Sequence, residues 1–318
     1  MVAYTDSNRV PQGELKKYSV DLDIGDENNF EISMNLKQHC MSHRSLWFVI
    51  GTEYGGIVDD VKIDTKKNKV YYSGRSFRGI MEKKIIEPES GQNYYVVSGD
   101  ANNVLSQIIE KVGLSDLFVT DQNDSGINIS KYQFDRYIDS YNGVVKMLEK
   151  VDAKLVCTVT KDVKVSIKAV ARQDLSQKYE YSDDYGMQVI FDQNRGGTNH
   201  LVCLGGGELA ERTVIHLYAD AEGNIGTTQY YKGVDEISET YDYGNAESED
   251  ELIKQGTQRL KESKNSDSLT AQFDRLDVTV GDVVGGKNRK LGVTMKESVT
   301  GQIVKINNDK YNITYKVG

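Results

Sequence analysis

Disulfide chemistry, proline and long apolar runs are all scarce in this chain, and each scarcity excludes a class of protein. Only three cysteines, Cys40, Cys157 and Cys203, occur in 318 residues. They are odd in number and far apart, which excludes a disulfide framework and a C-x-x-C metal site, and they read as small buried hydrophobes. No apolar run approaches the ~18 to 20 residues of a membrane-spanning helix; the longest is Leu46 to Ile50. The opening Met-Val-Ala-Tyr-Thr-Asp has neither a basic nor an apolar stretch, so no signal peptide is expected, and the expectation is a soluble chain made in a reducing compartment. Cations are in deficit as well: 39 Lys and Arg stand against 48 Asp and Glu, a net charge of −9. Phosphate contacts need clustered Lys and Arg, so this balance argues against nucleic-acid binding.

Proline occurs twice, whereas glycine occurs 29 times and tyrosine 20 times. Few prolines leave ladder donors intact, and glycine and tyrosine suit turns and pleated surfaces, so the composition leans towards β structure. Period-two alternation follows in Tyr18, Val20, Leu22 and Ile24, in Phe30, Ile32 and Met34, and in Ile57, Val61 and Ile63. The denser run Leu46 to Ile50 reads as a central strand covered on both faces. Val70-Tyr71-Tyr72-Ser73-Gly74 is one more strand, and a short helix over Ser76 to Lys83 closes this meander.

At Ser98 the texture changes. Asp100 can cap a helix whose Val104, Leu105, Ile108, Ile109 and Val112 share a face, with Gly113 as the stop. A second helix follows Ser140, striped by Val144, Val145, Met147, Leu148 and Val151. Strands Leu155 to Thr160 and Val163 to Ala169 come next, with Lys161-Asp162 as a two-residue turn. Beyond Met187 strands resume at Met187 to Phe191, Leu201 to Leu204 and Thr213 to Ala219, followed by a turn at Glu222-Gly223-Asn224 and a Tyr-rich strand near Tyr230. Acidic Glu247 to Glu251 opens a helix weakly striped by Leu252, Ile253 and Leu260, in which Gly256 costs about 1 kcal/mol. Alternation returns with Val278, Val280, Ile303 and Ile306, and ends with Tyr311, Ile313, Tyr315 and Val317. The order is two β regions flanking an α/β insert.

Few chemical motifs are complete. Gly281 to Asn288 nearly fits a P-loop, but Asn288 stands where a Ser or Thr hydroxyl is required and no helical stripe follows, so a Gly-rich hairpin is the expectation. Gly205-Gly206-Gly207-Glu208-Leu209-Ala210 fits the dinucleotide fingerprint G-x-G-x-x-G/A, yet the next strand leaves room for only one helical turn, where a crossover helix is needed. His39, Cys40 and His43 have no further ligand cluster to complete a zinc site. Asp121, Asn123, Ser125 and Gly126 open like a calcium loop, whose twelfth position here is Tyr132 instead of Glu. No nucleophile-base pattern occurs, so the chain reads as a non-enzyme with no cofactor and no metal.

Two stretches carry a resemblance. Glu53-Tyr54-Gly55-Gly56-Ile57-Val58, then Gly74-Arg75-Ser76-Phe77-Arg78-Gly79 through Pro88, are similar to the N-terminal region of phage tail hub proteins. So are Gly205-Gly206-Gly207-Glu208 through Arg212 and the strand that comes after. The chain thus resembles the siphophage tail-tip hub family, related to the N-terminal domains of tail-associated proteins and to the baseplate hubs of contractile tails. Lys84 stands where relatives often carry Arg. The resemblance implies a mainly β fold with an α+β insert. Residues 1–96 would form a first β-barrel-like domain of tail-tube type, 97–170 the α/β insert, and 171–245 a second β-barrel-like domain, with 246–318 supplying a helix and closing strands. The residues carrying this signature are Gly55, Gly56, Gly74, Arg75, Gly79, Pro88, Gly205, Gly207, Glu208 and Arg212, in structural roles.

The implied function is a homotrimeric hub at the virion tail tip or baseplate of a phage or prophage, assembled in the bacterial host cytoplasm. Its partners would be its own copies, the tail tube or distal tail protein, and the tape-measure, tip, spike or fibre proteins, with DNA passing through the channel unbound. Two other classes stay open, a cell-surface carbohydrate-binding module and an enzyme. Tyr71-Tyr72, Tyr94-Tyr95 and Tyr230-Tyr231 are the hint of a sugar platform.

Overall fold

The computed structural model describes residues 1–176, 180–181, 188–246, 248–264, 266–273, 278–288 and 293–318. The chain divides into two compact units, Met1–Val189 with Thr270–Gly318, and Ile190–Leu269. The fold is mainly β with a few helices, as the sequence leads one to expect.

In the first unit, β1 (Ala3–Thr5) and β2 (Pro11–Glu14) lead into β3 (Tyr18–Ile24) and β4 (Asn29–Asn35), whose alternation is that of the sequence. Tyr18, Val20, Leu22, Ile24, Phe30, Ile32 and Met34 all face inward and are buried. Next come β5 (Leu46–Phe48), β6 (Gly55–Asp64) and β7 (Lys69–Ser76). Leu46, Trp47 and Phe48 are buried on both faces, as expected of a central strand, but the strand stops there and Ile50 is exposed. The alternation expected of Ile57, Val61 and Ile63 holds only in part. A bulge between Val58 and Asp60 shifts the β6–β7 register, so Val58, Val61 and Ile63 share the face of Tyr72 and Val70 while Ile57 lies on the other; Val58 is buried, and Ile63, near the strand's end, is half exposed.

Helix α1 (Phe77–Glu82) follows β7 directly. Then β8 (Val96–Asp100), α2 (Ala101–Lys111), β9 (Phe118–Thr120), β10 (Asn128–Gln133), α3 (Ser140–Glu149), β11 (Ala153–Val159) and β12 (Val165–Ala171) form the α/β segment. Asp100 caps α2 by accepting from the Asn102 amide, and its other oxygen accepts from the Ser125 amide and hydroxyl. The loop that opens like a calcium site thus serves to hold a helix start. Helix α3 begins one residue earlier than expected, because Asp139 is its cap and Ser140 its first turn. The expected two-residue turn is instead a wider loop at 160–164, where Thr160 and Lys164 bond and Val163 takes φ 57°. Core residues of α2, α3, β11 and β12 share one cluster with Leu46, Phe48, Phe77, Ile80, Met81 and Ile86. The insert and the first β region therefore have a common core.

The short β13 (Glu180–Tyr181) precedes β14 (Gln188–Asn194), which carries the chain into the second unit. Met187, expected to start that strand, lies outside the described residues. In the second unit, β15 (His200–Leu204), β16 (Val214–Ala219), β17 (Ile225–Gly226) and β18 (Ser238–Asp242) form a four-stranded sheet ordered β17-β16-β15-β18. No strand forms at Tyr230; Gly233 at φ 61° turns the chain and Tyr230 stands exposed against Tyr231. Ser248 caps α4 (Glu249–Ser263), and the acidic first turn suits the positive end of the helix. Glu247, expected in that opening, lies outside the described residues. Leu252, Gly256 and Leu260 of α4 cover Leu201, Cys203, Leu217 and Ala219.

Strand β19 (Ser266–Phe273) returns the chain to the first unit, where β20 (Val283–Asn288), β21 (Val293–Asn307) and β22 (Lys310–Val317) finish it. There the sheet path runs β22-β21-β3-β4-β7-β6-β5-β1-β2, so the last strands of the chain pair with the first meander. Val278 and Val280 are buried but not in a strand; they precede Asp282 in a turn in which the Thr279 amide donates to the Asp282 carboxylate.

Candidate functional site

Strand β7 runs into α1 at a corner where backbones touch. A Cβ on Gly74 would lie 2.1 Å from the Ile57 carbonyl oxygen, one on Gly56 2.3 Å from that of Arg75, and one on Gly79 2.2 Å from that of Asn28. On Gly55 it would meet the Phe77 ring at 2.4 Å. These glycines are needed for room. The β6 bulge turns Asp59 towards Arg75, whose Nε and Nη2 donate to its two carboxylate oxygens, both at 2.7 Å. That guanidinium holds the Asp59 carboxyl below its ordinary range. Ser76 caps α1 by accepting from the Gly79 amide at 3.2 Å.

One turn on, Arg78 is buried at 4% exposure and its partner Glu53 at 11%. Arg78 donates from Nε and Nη2 to Glu53 Oε2, at 3.0 and 2.8 Å, and from Nη1 to the Tyr141 hydroxyl at 3.1 Å. Burial opposes the Arg78 charge, but the Glu53 carboxylate outweighs it and raises the guanidinium above its ordinary value. Burial likewise pushes the nearby Cys157 thiol up to about 12, so it is no nucleophile at neutral pH. The network ties α1 to α3.

A second buried pair joins the insert to the closing strands. Lys154 of β11 donates to Asp282 Oδ1 at 2.6 Å, with the two side chains only 7% and 2% exposed. Asp282 also accepts from the Gln173 amide at 3.0 Å and the Thr279 amide at 3.0 Å, which leaves neither oxygen bare. Gly281, at φ 99°, brings the chain against the Lys154 stem, and Arg172 donates to its carbonyl at 2.7 Å. The loop that nearly spells a P-loop therefore wraps its own carboxylate, where a phosphate would meet repulsion. Its glycines Gly285 and Gly286 lie in β20, paired antiparallel with β21 as the hairpin expectation requires; residues 289–292 lie outside the described residues.

Two cavities border these networks. One of about 170 Å³ is lined by Arg78, Tyr141, Lys154, Arg172 and Val280, whose cations are already bonded. The other, an open cleft of about 740 Å³, is rich in carboxylates, among them Asp21, Asp23, Asp59 and Asp60. Lys316 at its rim bridges Asp23 and Asp26 at 3.1 and 2.5 Å.

In the second unit the Gly205–Gly207 loop closes on itself. The Gly205 amide donates to the Thr213 carbonyl and the Thr213 amide to that of Gly206, at 2.8 and 2.9 Å. Gly207 takes φ 94°, and a Cβ there would lie 2.5 Å from the Glu211 carbonyl oxygen. Beyond the loop the chain makes a single 3-10 turn, Leu209–Glu211, so no crossover helix aims its amides at these glycines. Arg212 folds back, donating to the Gly205 carbonyl at 3.0 Å and to Asp242 at 2.5 Å, while Glu208 is exposed.

Nine of the ten signature residues thus lie in two separate places, and Pro88 lies apart. Gly55, Gly56, Gly74, Arg75 and Gly79 meet at the β6–β7–α1 corner; Gly205, Gly207, Glu208 and Arg212 share the second unit's loop; Pro88 lies half-buried in the segment after α1. The sequence reading missed the partners Glu53, Asp59, Tyr141, Lys154 and Asp282. The one available signal was Lys154, a cation between Ala153 and Leu155 in a core-facing strand. His39 bonds the Tyr72 hydroxyl through Nδ1 at 2.6 Å. Among the described residues no group of three or more His, Cys, Asp or Glu is arranged to hold a metal ion. Tyr72 is buried, which removes one of the three tyrosine pairs as a sugar platform.

No family model matches the sequence, and no curated protein is similar to it in sequence. Solved structures are similar in fold. The 43 kDa tail protein of prophage MuSo2 from Shewanella oneidensis superposes with a TM-score of 0.55 at 11% identity, over 100% of this chain and 98% of that one. A chain of the phage P2 baseplate in its activated conformation with Ca gives 0.53 at 11% identity, over 99% and 98%. The fold of this chain is that of phage tail and baseplate proteins.

Proposed function

We propose that this chain is the structural hub of a phage or prophage tail tip or baseplate, three copies forming a ring that joins the tail tube or distal tail ring to the tip. The observation that carries this reading is the extent of the fold likeness, which runs end to end through β regions, insert and closing strands alike. The chemistry of the corner agrees with a scaffold: the Arg78 and Lys154 charges are spent on internal partners that brace one segment against another. Part of the same proposal is that 1–96 and 171–245, with the closing strands, act as two barrel-like halves, so that three copies offer a quasi-six-fold face to a hexameric tube. The ten signature residues then shape the fold and take no part in catalysis. Strand β2 is exposed along its whole length at the end of the sheet path, and such an edge is a natural place for ring contacts.

Imaging assembled tail particles tests the proposal. Three copies are expected around the channel beneath a six-fold tube, with each subunit contact burying over about 1,000 Å². Absence of the protein from assembled tails, or a peripheral fibre position away from the channel, overturns it. Screens for nucleotide hydrolysis and cell-wall cleavage are expected to show no turnover.

A further inference from the structure

On the open face of the second unit's sheet, two imidazoles and a carboxylate form a chain. Register places His200 of β15 opposite Tyr218 of β16, and Val202 opposite His216, so both histidines emerge on one face. His200 Nε2 and His216 Nδ1 are 2.8 Å apart. The other nitrogen of His200, Nδ1, lies 2.6 Å from Glu236 Oε1 and 2.9 Å from Ser238 Oγ. The His200 ring stacks on Tyr218 with centroids 4.4 Å apart, while the His216 ring meets it edge to edge, as the bond between them requires, with centroids 5.1 Å apart. His200 is 9% exposed, whereas His216 reaches solvent.

Glu236 belongs to the 232–237 turn, which is also clipped to β15 by Asn199. The Asn199 side chain donates to the Asp235 carbonyl at 2.8 Å and accepts from the Ile237 amide at 2.9 Å. At the tip of this turn Val234 is 98% exposed. From β16 the groups facing His200 are His216 and Tyr218; from the 232–237 turn, Glu236; from β18, Ser238. Glu239, the next residue of β18, lies 4.0 Å from Arg259 of α4, the helix packed on the sheet through Gly256.

Counting protons along the chain gives three states. With both rings neutral, His200 Nδ1–H donates to Glu236, and His216 Nδ1–H donates to His200 Nε2. One added proton keeps both bonds: a charged His200 donates from Nδ1 to Glu236 and from Nε2 to a neutral His216, and the bond to the carboxylate becomes an ion pair, which adds a coulombic attraction to it. A second proton leaves two N–H groups facing each other between two cations, so the His200–His216 bond cannot persist. We propose that Glu236, His200 and His216 form a proton-loaded latch, which holds the 232–237 turn against β15 most tightly when the two rings share one extra proton. This inference is independent of the tail-hub reading.

The chain has four histidines, so ring resonances of the full-length labelled protein are few, with His39 and His43 as internal references. Following it by NMR between about pH 8 and pH 5, the span in which imidazoles charge, is expected to show the resonances of His200 and His216 moving together in two steps. Protection of the Ile237 amide, corrected for intrinsic exchange, is expected to rise through the first step and fall through the second. Glu236→Gln abolishes the rise, and His216→Gln, which bonds His200 but takes no proton, leaves a single step with no fall. Independent titration of the two rings, unchanged by either substitution, overturns the proposal. So does Ile237 protection that is flat with pH in the wild-type protein while the rings titrate.

Discussion

The two units use the same steric device and differ in what they do with polar groups. In the first, Gly56, Gly74 and Gly79 let backbones touch; in the second, Gly256 of α4 sits where a Cβ would lie 2.4 Å from Cys203 Sγ and 2.9 Å from Leu217. Yet the first unit draws its charges inward, into the Arg78–Glu53 and Lys154–Asp282 pairs, whereas the second leaves imidazoles on an open face and Leu209 and Val234 at 95% and 98% exposure. The difference follows from core size. A core shared by the first β region and the α/β segment can enclose a hydrogen-bonded ion pair, but one helix over four strands has no second layer to do so.

Removing the shared core breaks the comparison most completely. Residues 97–170 expressed alone lose the Leu46, Phe77 and Met81 contacts, and are expected to keep helical signal without a cooperative thermal transition, as read by circular dichroism. Next in size is Arg78→Met, which strands Glu53 in the interior. It should cost about 3 to 5 kcal/mol in chemical denaturation, and Glu53→Gln added to it should recover part of that loss. Lys154→Met belongs to the same class through Asp282.

Gly256→Val tests the second unit by itself. Overpacking against Cys203 and Leu217 is expected to cost about 1 to 3 kcal/mol, with hydrogen exchange rising in 200–260 and little changed in the first unit's core. The smallest effect belongs to Asp59→Asn. The Arg75–Asp59 pair is about a third exposed, 36% and 34%, so solvent screening limits it to about 1 kcal/mol or less, and salt should shrink it further. Because the folded Asp59 carboxyl lies below its unfolded value, its contribution is full above about pH 4 and is lost as pH falls through the folded value. Denaturation curves of wild type and Asp59→Asn should therefore differ at pH 6 and converge in strong acid.

Elements with a clean period were legible: β3, β4 and α2 were read from alternation, stripe and cap, because burial on one face writes itself into the spacing of apolar residues. Where a backbone event intervenes, the spacing misleads. The β6 bulge set Ile57 on the face opposite Val61 and Ile63, Val163 at positive φ widened a hairpin loop, and Val278 and Val280 are buried outside any strand. Gly55, Gly56, Gly74 and Gly79 make close approaches at one corner, but nothing in the sequence disclosed their partners. Gly74 and Arg75 stand in the sequence with nothing to say that Ile57 and Asp59 lie across from them.

The sequence alone thus determined the mainly β class, the two helices that begin near residues 100 and 140, and the failure of the nucleotide-binding look-alikes, all of which rest on neighbours within a few residues. Only tertiary structure decided which charges pair: Glu53 with Arg78, Lys154 with Asp282, and His200 with both His216 and Glu236. Their sequence separations differ too widely for any local period to encode them. An ion pair's energy depends on distance and desolvation, which exist only once the sheet, helices and closing strands have come together.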